Sequence, residues 1–224
     1  MWAIVKNSQL IEISNGNKSI TIGDVVHPKD IFKHWTKTKL KNIGVYEFIS
    51  GQTPDDKFET QGAISYAVDD DAGTVTETIA KKNKNINDVN EVDENGDPLL
   101  DEYGDQVVTK GLKTIYKEQI KQQATGLLRP TDWMVVRKAE DSSKSIPNAV
   151  TTFRASVRTK ADEICTAIDN CDTLDKLKAL FESTYNKDGT IDVLATMQTL
   201  PNNKDIKEYE RWCLLKILLG LVIF

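Results

Sequence analysis

Few residues in this 224-residue chain have the types and spacing that enzymatic or metal chemistry needs. The two histidines, His27 and His34, are seven residues apart, and Pro28 disfavours a helix that would bring both onto one face. No further ligand follows at the spacing of a zinc site. The sequence also has no Gly-rich phosphate loop, GxSxG or HExxH motif. We therefore predict a non-enzymatic protein without a catalytic residue, metal or cofactor.

The cysteines are three in number and form no CxxC pair, so they indicate neither a disulfide framework nor a zinc site. Cys165 and Cys171 lie six residues apart in a segment with helical periodicity, and therefore on different faces. We expect Cys165, Cys171 and Cys213 to be reduced thiols that pack as small apolar side chains.

Two turn-rich acidic repeats, beginning at Asp93 and Asp101, are the next candidates for chemistry. A calcium loop counted from Asp93 places Pro98 at the sixth position, where the sharp turn needs Gly. A loop counted from Glu91 places Gly96 there, but its first ligand is Glu, and its flanks lack the helical apolar spacing of an EF-hand. A cation site and a solvated acidic turn both fit the residues, and the pattern favours the turn.

The elements that would position these residues predict an α+β fold in three parts. Residues 1–52 alternate as short strands with one aromatic helix and form a small β-rich N-terminal module. Residues 53–108 contain a β-hairpin, over 60–68 and 74–79, followed by loops, and form an acidic arm. From residue 109 onward the apolar period is 3.6, which predicts a mainly α-helical C-terminal half over residues 109–224.

The helical half contains a corner whose polar residues could lock two helices together. Apolar residues at helical spacing predict a helix over about 112–128, with one side formed by Leu112, Ile115, Tyr116, Ile120, Ala124, Leu127 and Leu128. Pro130 follows this helix, and Thr131-Asp132 would cap a new one. We expect Trp133 to be buried between that short helix and the helix containing Phe153. Arg137 could pair with Glu140, and Arg154 with Arg158 could donate to Glu140 or Asp132.

The same corner carries a resemblance to a known family. The segment from about residue 112 to 168 resembles the LLxxTDW…R…E…P…YR…R pattern of tailed-bacteriophage tail proteins, which is named after tail assembly chaperones. The matching residues, with Phe153 standing where Tyr is commoner, are Thr131, Asp132, Trp133, Arg137, Glu140, Pro147, Phe153, Arg154 and Arg158. The N-terminal Met-Trp-Ala-Ile-Val-Lys-Asn resembles, more loosely, the openings of phage tail and fibre-associated proteins.

Charge is distributed unevenly along the chain, whose net charge is −5. Residues 69–105 have 12 acidic and 3 basic side chains, a net of −9, whereas residues 110–160 have 11 basic and 4 acidic ones, a net of +7. A nucleic-acid binder would use such a basic face. Contact between the acidic arm of one copy and the basic face of another explains both segments, so we expect no nucleic-acid partner.

The C-terminal sequence is the only candidate for a membrane segment, but it is shorter than a span of about 20 residues and contains Lys216. We predict no membrane span. We expect this stretch to be buried in the core or against a neighbouring subunit, because apolar side chains on all faces are costly in water. The candidate interface residues are Leu214, Leu215, Leu218, Leu219, Val222 and Phe224.

The resemblance implies a structural component of a phage tail or tail-fibre attachment region, which acts through contacts with other tail or fibre proteins and with copies of itself. Its location would be the virion tail, after assembly in the host cytoplasm. An alternative is a soluble tail or fibre assembly chaperone that is absent from the mature virion.

Overall fold

The computed structural model describes residues 1–201 and has an α+β fold with two compact units. The first unit comprises residues 1–84, and the second begins at Asn85. The predicted interface residues between Leu214 and Phe224 lie outside the described residues. Within residues 1–201, no helix is long and apolar enough to cross a membrane.

The first unit is built on a five-stranded sheet with the order β2-β1-β5-β7-β6. Its strands are β1 (Trp2–Lys6), β2 (Gln9–Ser14), β5 (Val45–Ile49), β6 (Glu59–Asp69) and β7 (Thr74–Asn83). The hairpin predicted over 60–68 and 74–79 is confirmed, since β6 pairs with β7 in antiparallel orientation. Strands β1 and β2 pair in the same way. The turn between β1 and β2 has Asn7 and Ser8 at positive φ, 52° and 57°, the backbone twist that a two-residue hairpin requires.

Apolar side chains are buried on both faces of this sheet, because neighbouring residues of a strand point to opposite sides. On one face, Val5, Phe48 and Val75 belong to one core cluster. On the other, Ile4 and Val45 pack with residues of a small two-stranded sheet and two short helices. These are β3 (Ile20–Ile22), β4 (Val25–His27), α1 (Ile31–His34) and α2 (Lys37–Asn42).

The hairpin β6–β7 corrects the predicted domain boundary between residues 52 and 53. Strand β7 pairs in parallel with β5, with Phe48 opposite Val75, so the hairpin belongs to the N-terminal sheet and not to a separate arm. The boundary between the units therefore falls between Lys84 and Asn85. The acidic loops after Lys84 therefore belong to the second unit.

The second unit contains four helices, among the residues described, together with small strand pairs. The helices are α3 (Leu112–Leu128), α4 (Asp132–Glu140), α5 (Asn148–Asp169) and α6 (Leu174–Ala179). The strands are β8 (Val89–Asn90), which pairs with β9 (Val108–Thr109), and β10 (Thr184–Tyr185), which pairs with β11 (Ile191–Val193).

Helices α3 and α5 pack against each other in antiparallel orientation. Lys117 near the start of α3 pairs with Asp169 at the end of α5, at 2.7 Å, while Arg154 near the start of α5 reaches the end of α3. The helical spacing correctly predicted the buried face of α3, formed by Leu112, Tyr116, Ile120 and Ala124. The Tyr116 and Phe181 rings, 4.7 Å apart at 60°, join the segment after α6 to this core.

Candidate functional site

The residues of the resemblance meet at the corner where α3 ends and α4 begins. Pro130 cannot continue the α-helical hydrogen bonding of α3, and the chain makes a 3₁₀ turn over Arg129–Thr131. The Thr131 side chain is fully buried, and its hydroxyl donates to the carbonyl oxygen of Leu128 at 2.9 Å. Thr131 therefore satisfies a carbonyl group that the end of α3 would leave without a partner.

Arg154 on α5 holds this corner in place. It is 6% exposed, and its Nη1 donates to the Leu128 carbonyl oxygen at 2.8 Å and to the Thr131 hydroxyl at 2.7 Å. Its Nη2 donates to Asp132 Oδ1 at 2.8 Å. One guanidinium thus joins the end of α3 and the first turn of α4 to α5, which uses the planar, multiple-donor geometry that Lys does not have.

Asp132 is confirmed as a partner of Arg154, but its predicted role as a helix cap is wrong. The cap position of α4 is Thr131, and no side chain accepts a capping hydrogen bond there. Asp132 occupies the first turn of α4, and its carboxylate is directed to Arg154. A carboxylate in that position also interacts favourably with the positive end of the helix.

Trp133 corrects a second prediction, because it is 45% exposed and does not fill the space between α4 and α5. Met134, at 2% exposure, is the side chain of α4 that is buried. The guanidinium carbon of Arg137 lies 5.0 Å from the centroid of a Trp133 ring, within the range of a cation–π contact. The Nε atom of Arg137 is buried and has no hydrogen-bond partner among residues 1–201.

The other residues of the pattern serve the geometry of the corner less directly. Glu140, the last residue of α4, is exposed and does not form the predicted ion pair with Arg137. Pro147 is the residue before α5, and its carbonyl oxygen accepts the Thr151 N–H at 3.1 Å. Phe153 is half-buried. Arg158 is exposed and, unlike Arg154, forms no hydrogen bond or ion pair with the described residues of the corner.

A surface of mixed character results on α4 and beside it. Trp133 and Val136 supply exposed apolar area, and Val136 is 55% exposed. Arg137 lies against Trp133, and Arg129 and Lys138 are exposed nearby in the chain. We refer to Arg129, Trp133, Val136, Arg137 and Lys138 as the α4 surface. Its aromatic, apolar and guanidinium groups are those found where proteins bind other proteins.

The acidic repeats form a more ordered structure than the predicted solvated loop. Residues 91, 99 and 107, which follow one another at intervals of eight, are joined into a ring by three backbone hydrogen bonds. The Glu91 N–H donates to the Val107 carbonyl oxygen at 2.9 Å, the Val107 N–H to that of Leu99 at 2.8 Å, and the Leu99 N–H to that of Glu91 at 3.0 Å. The Gln106 side-chain nitrogen lies 2.7–3.1 Å from the same three carbonyl oxygens. We refer to residues 89–109, which include β8 and β9, as the turn module.

The two acidic turns of the turn module have the same hydrogen bonds. Asp93 Oδ1 accepts the backbone N–H groups two and four residues later, at 2.8 and 3.0 Å, and Asp101 Oδ1 does the same at 2.9 Å. Backbone donors, chiefly that of Asp97, lower the pKa of Asp93. Gly96 and Gly104 have φ of 88° and 84°, the left-handed conformation that Gly adopts without strain.

The turn module is fixed to the start of α3. Gly111 occupies the N-cap position of α3, where it has no side chain that could accept a hydrogen bond. Its own N–H donates to Asp88 Oδ1 at 2.8 Å. This bond, followed by one with the Thr114 side chain, lowers the pKa of Asp88. A Cβ at Gly111 would lie 2.3 Å from the backbone of Asn87, so only Gly permits this approach.

The nucleophilic and metal-ligating residues are not gathered into a site in the described part of the chain. Among residues 1–201, no group of three or more His, Cys, Asp or Glu side chains is placed to hold a metal ion. Burial raises the pKa of the Cys165 and Cys171 thiols. His27 packs edge-on against Trp35 at 5.7 Å, and His34 is exposed. Cys213 lies outside the described residues.

A polar cluster that the sequence did not indicate connects two turns of the first unit. Asp70 accepts the Tyr46 hydroxyl at 2.7 Å and the Ser8 hydroxyl at 2.5 Å. The bond to Asp70 raises the pKa of Tyr46 to about 12, and the bonds from Ser8 and Tyr46 lower the pKa of Asp70. Asp70 on the β6–β7 turn thus joins this turn to the β1–β2 turn through Ser8, and to β5 through Tyr46.

Comparison of the chain with protein-family models, with curated proteins and with solved structures finds no match.

Proposed function

We propose that the chain is a non-enzymatic structural component of a bacteriophage tail or tail-fibre attachment region, which acts through protein–protein contacts. The observation that carries the proposal is the corner between α3, α4 and α5. Its polar groups bind one another, through Arg154, Thr131 and Asp132. Trp133 and Val136 form an exposed face, with the half-buried Arg137 beside Trp133.

This arrangement supports binding rather than catalysis. An active site directs polar groups towards the place where a substrate lies. Here the guanidinium of Arg154 instead donates its hydrogen bonds to Leu128, Thr131 and Asp132 of the same chain. What remains accessible is a Trp with a guanidinium stacked on it, a pair of residue types that contributes strongly to protein interfaces. The residues of the phage-tail resemblance thus include those that build this corner and those that form its outer surface.

The test is quantitative mass spectrometry of purified particles of the phage that encodes the chain, compared with the infected-cell lysate. A structural component is expected in purified particles at a fixed ratio to the major tail protein through successive purification steps. A chain that binds a tail or fibre protein in the lysate and is missing from particles would support the alternative, a soluble assembly chaperone. Absence from particles and from every tail or fibre complex would refute both proposals.

A matched pair of variants connects this test to the α4 surface. Trp133→Ala removes an exposed ring, and we expect it to reduce incorporation into particles. Tyr185→Ala removes a 65% exposed ring of β10, which belongs to neither the corner nor the α4 surface, and incorporation should be retained. Equal incorporation of both variants would show that the α4 surface is not the contact that places the chain in the particle.

A further inference from the structure

The second unit has two exposed surfaces at opposite ends of α3. The turn module precedes α3 and is fixed to its first residues, whereas the α4 surface follows the last turn of α3. A helix of 17 residues is about 25 Å long, at 1.5 Å per residue. Residues 1–201 leave both surfaces uncovered, since Tyr103 is 82% exposed and Trp133 is 45% exposed.

The two surfaces have complementary charge. Residues 91–105 contain seven acidic and no basic side chains, a net of −7. Asp93 and Asp101 use one carboxylate oxygen each for their own turns, but Glu94 and Glu102 are exposed and make no ion pair with the described residues. On the α4 surface, Arg129 and Lys138 are exposed and likewise without an ion pair in residues 1–201.

The two surfaces also match in apolar character. The turn module exposes Tyr103 together with Leu100 at 55% and Val92 at 56%. The α4 surface exposes Trp133 and Val136. A contact between them would cover apolar area on both sides and place carboxylates beside guanidinium and ammonium groups, which provides both affinity and orientation.

We infer that the turn module of one copy docks on the α4 surface of a second copy, so that the chain associates head to tail. The inference builds on the proposed function by naming one of its partners. Because the contact joins two different surfaces, each bound copy leaves one of them available, and the result is a ring if the rotation closes or a filament if it does not. The turn module reaches its partner preformed, since the hydrogen-bonded ring around Gln106 already fixes its backbone.

The test uses sedimentation velocity of the purified full chain at about 1 to 100 µM. The wild type is expected to form dimers and larger species that increase with concentration and weaken as NaCl rises from about 0.05 to 0.5 M. Trp133→Ala, which alters the α4 surface, and the double variant Glu102→Lys/Tyr103→Ala, which alters the turn module, should each weaken association by about tenfold or more. Tyr185→Ala is the control that should associate as the wild type does.

An equimolar mixture of the two defective proteins separates this inference from other modes of association. Each variant keeps one intact surface, and the two intact surfaces are complementary, so the mixture should form a dimer and no larger species. A symmetric interface that uses one patch on both copies would not be restored by mixing. Circular dichroism of each variant confirms that the fold is retained, because all of the altered side chains are exposed.

A monomer at every concentration and salt, association unchanged in both variants, or a mixture that stays monomeric would each overturn the inference. None of these outcomes bears on the particle experiment, because the purified chain is studied alone. A monomeric chain that is found in particles refutes head-to-tail association only. A self-associating chain that is absent from particles refutes the proposed structural role only.

Discussion

Replacement of Arg154 by Ala is the most direct test of how the corner is held. The change removes three hydrogen bonds, to Leu128, Thr131 and Asp132, all between 2.7 and 2.8 Å. A net contribution of about 1 kcal/mol for each bond gives a loss of about 3 kcal/mol in the free energy of unfolding. This is at the lower end of the roughly 3–5 kcal/mol for a broken buried ion pair, because the Asp132 side chain is 54% exposed and remains solvated without its partner.

The assay is urea denaturation of the full chain followed by far-ultraviolet circular dichroism, since the long helices α3 and α5 belong to the unit that Arg154 stabilises. At a slope of about 2 kcal/mol per molar, the expected loss lowers the midpoint by about 1.5 M urea. Arg158→Ala is the matched control. It removes the same side chain one helical turn later on α5, where it is exposed and bonded to nothing in the described residues, and should change stability by less than about 0.5 kcal/mol.

If Arg154→Ala and Arg158→Ala lower stability equally, the bonds of Arg154 are exchanged for water without cost, and the corner is not what fixes α4. If Arg154→Ala changes the slope as well as the midpoint, the unfolded or native state has changed in compactness. The shift of the midpoint then no longer measures the loss in the free energy of unfolding.

Two further predictions concern the titration of groups held by hydrogen bonds. The pKa of Tyr46 is raised from 10.0 to about 12, so the stability that its bond to Asp70 contributes is fully present below about pH 10 and is lost as the pH rises towards 12. In a tyrosinate absorbance titration, the component at highest pH should disappear in Tyr46→Phe and move to lower pH in Asp70→Asn. If that component persists in Tyr46→Phe, it belongs to another group. The bond from Gly111 lowers the pKa of Asp88 below 3.8, so its contribution to the free energy of unfolding is present above about pH 4 and is lost as the pH falls through the lowered value. Asp88→Ala should abolish the hydrogen-exchange protection of the Gly111 amide. Unchanged protection would contradict the proposed role of Asp88 at the start of α3.

The sequence predicted the elements whose faces are fixed by burial and missed those fixed by distant contacts. Helical spacing identified the buried side of α3, and alternation identified the β6–β7 hairpin, because both patterns follow from the local geometry of one element. The parallel pairing of β5 with β7 left no such trace. The residues of β5 and β7 do not indicate that these two strands, which are distant in the sequence, pair with each other. The predicted boundary before residue 53 was wrong for that reason.

The sequence indicated the residues that meet at the corner between α3, α4 and α5, but only some of the contacts that they make. Charge and spacing predicted that Arg154 would pair with Glu140 or Asp132, and the structure shows the pair with Asp132. Trp133 was misplaced because Trp133, Met134, Val135 and Val136 are four consecutive apolar residues, a run that covers the whole circumference of a helix and cannot indicate which side is buried. The eight-residue acidic repeat was visible, but the ring that it closes around Gln106 depends on three carbonyl groups whose convergence no residue type encodes.

Helix α3 is fixed at both ends by residues from other parts of the chain, and these residues are synthesised at different times. Asp88, 23 residues before Gly111, receives the first N–H, while Arg154, 26 residues after Leu128, secures the last turn. At roughly 5–20 residues per second, Arg154 leaves the ribosome about 1–5 s after the end of α3 does. During that interval the helix has its start fixed and its end frayed, and a free helix of this length is marginal in water. The nascent chain therefore passes through a state in which the apolar face of α3 is complete but is not yet covered by α5.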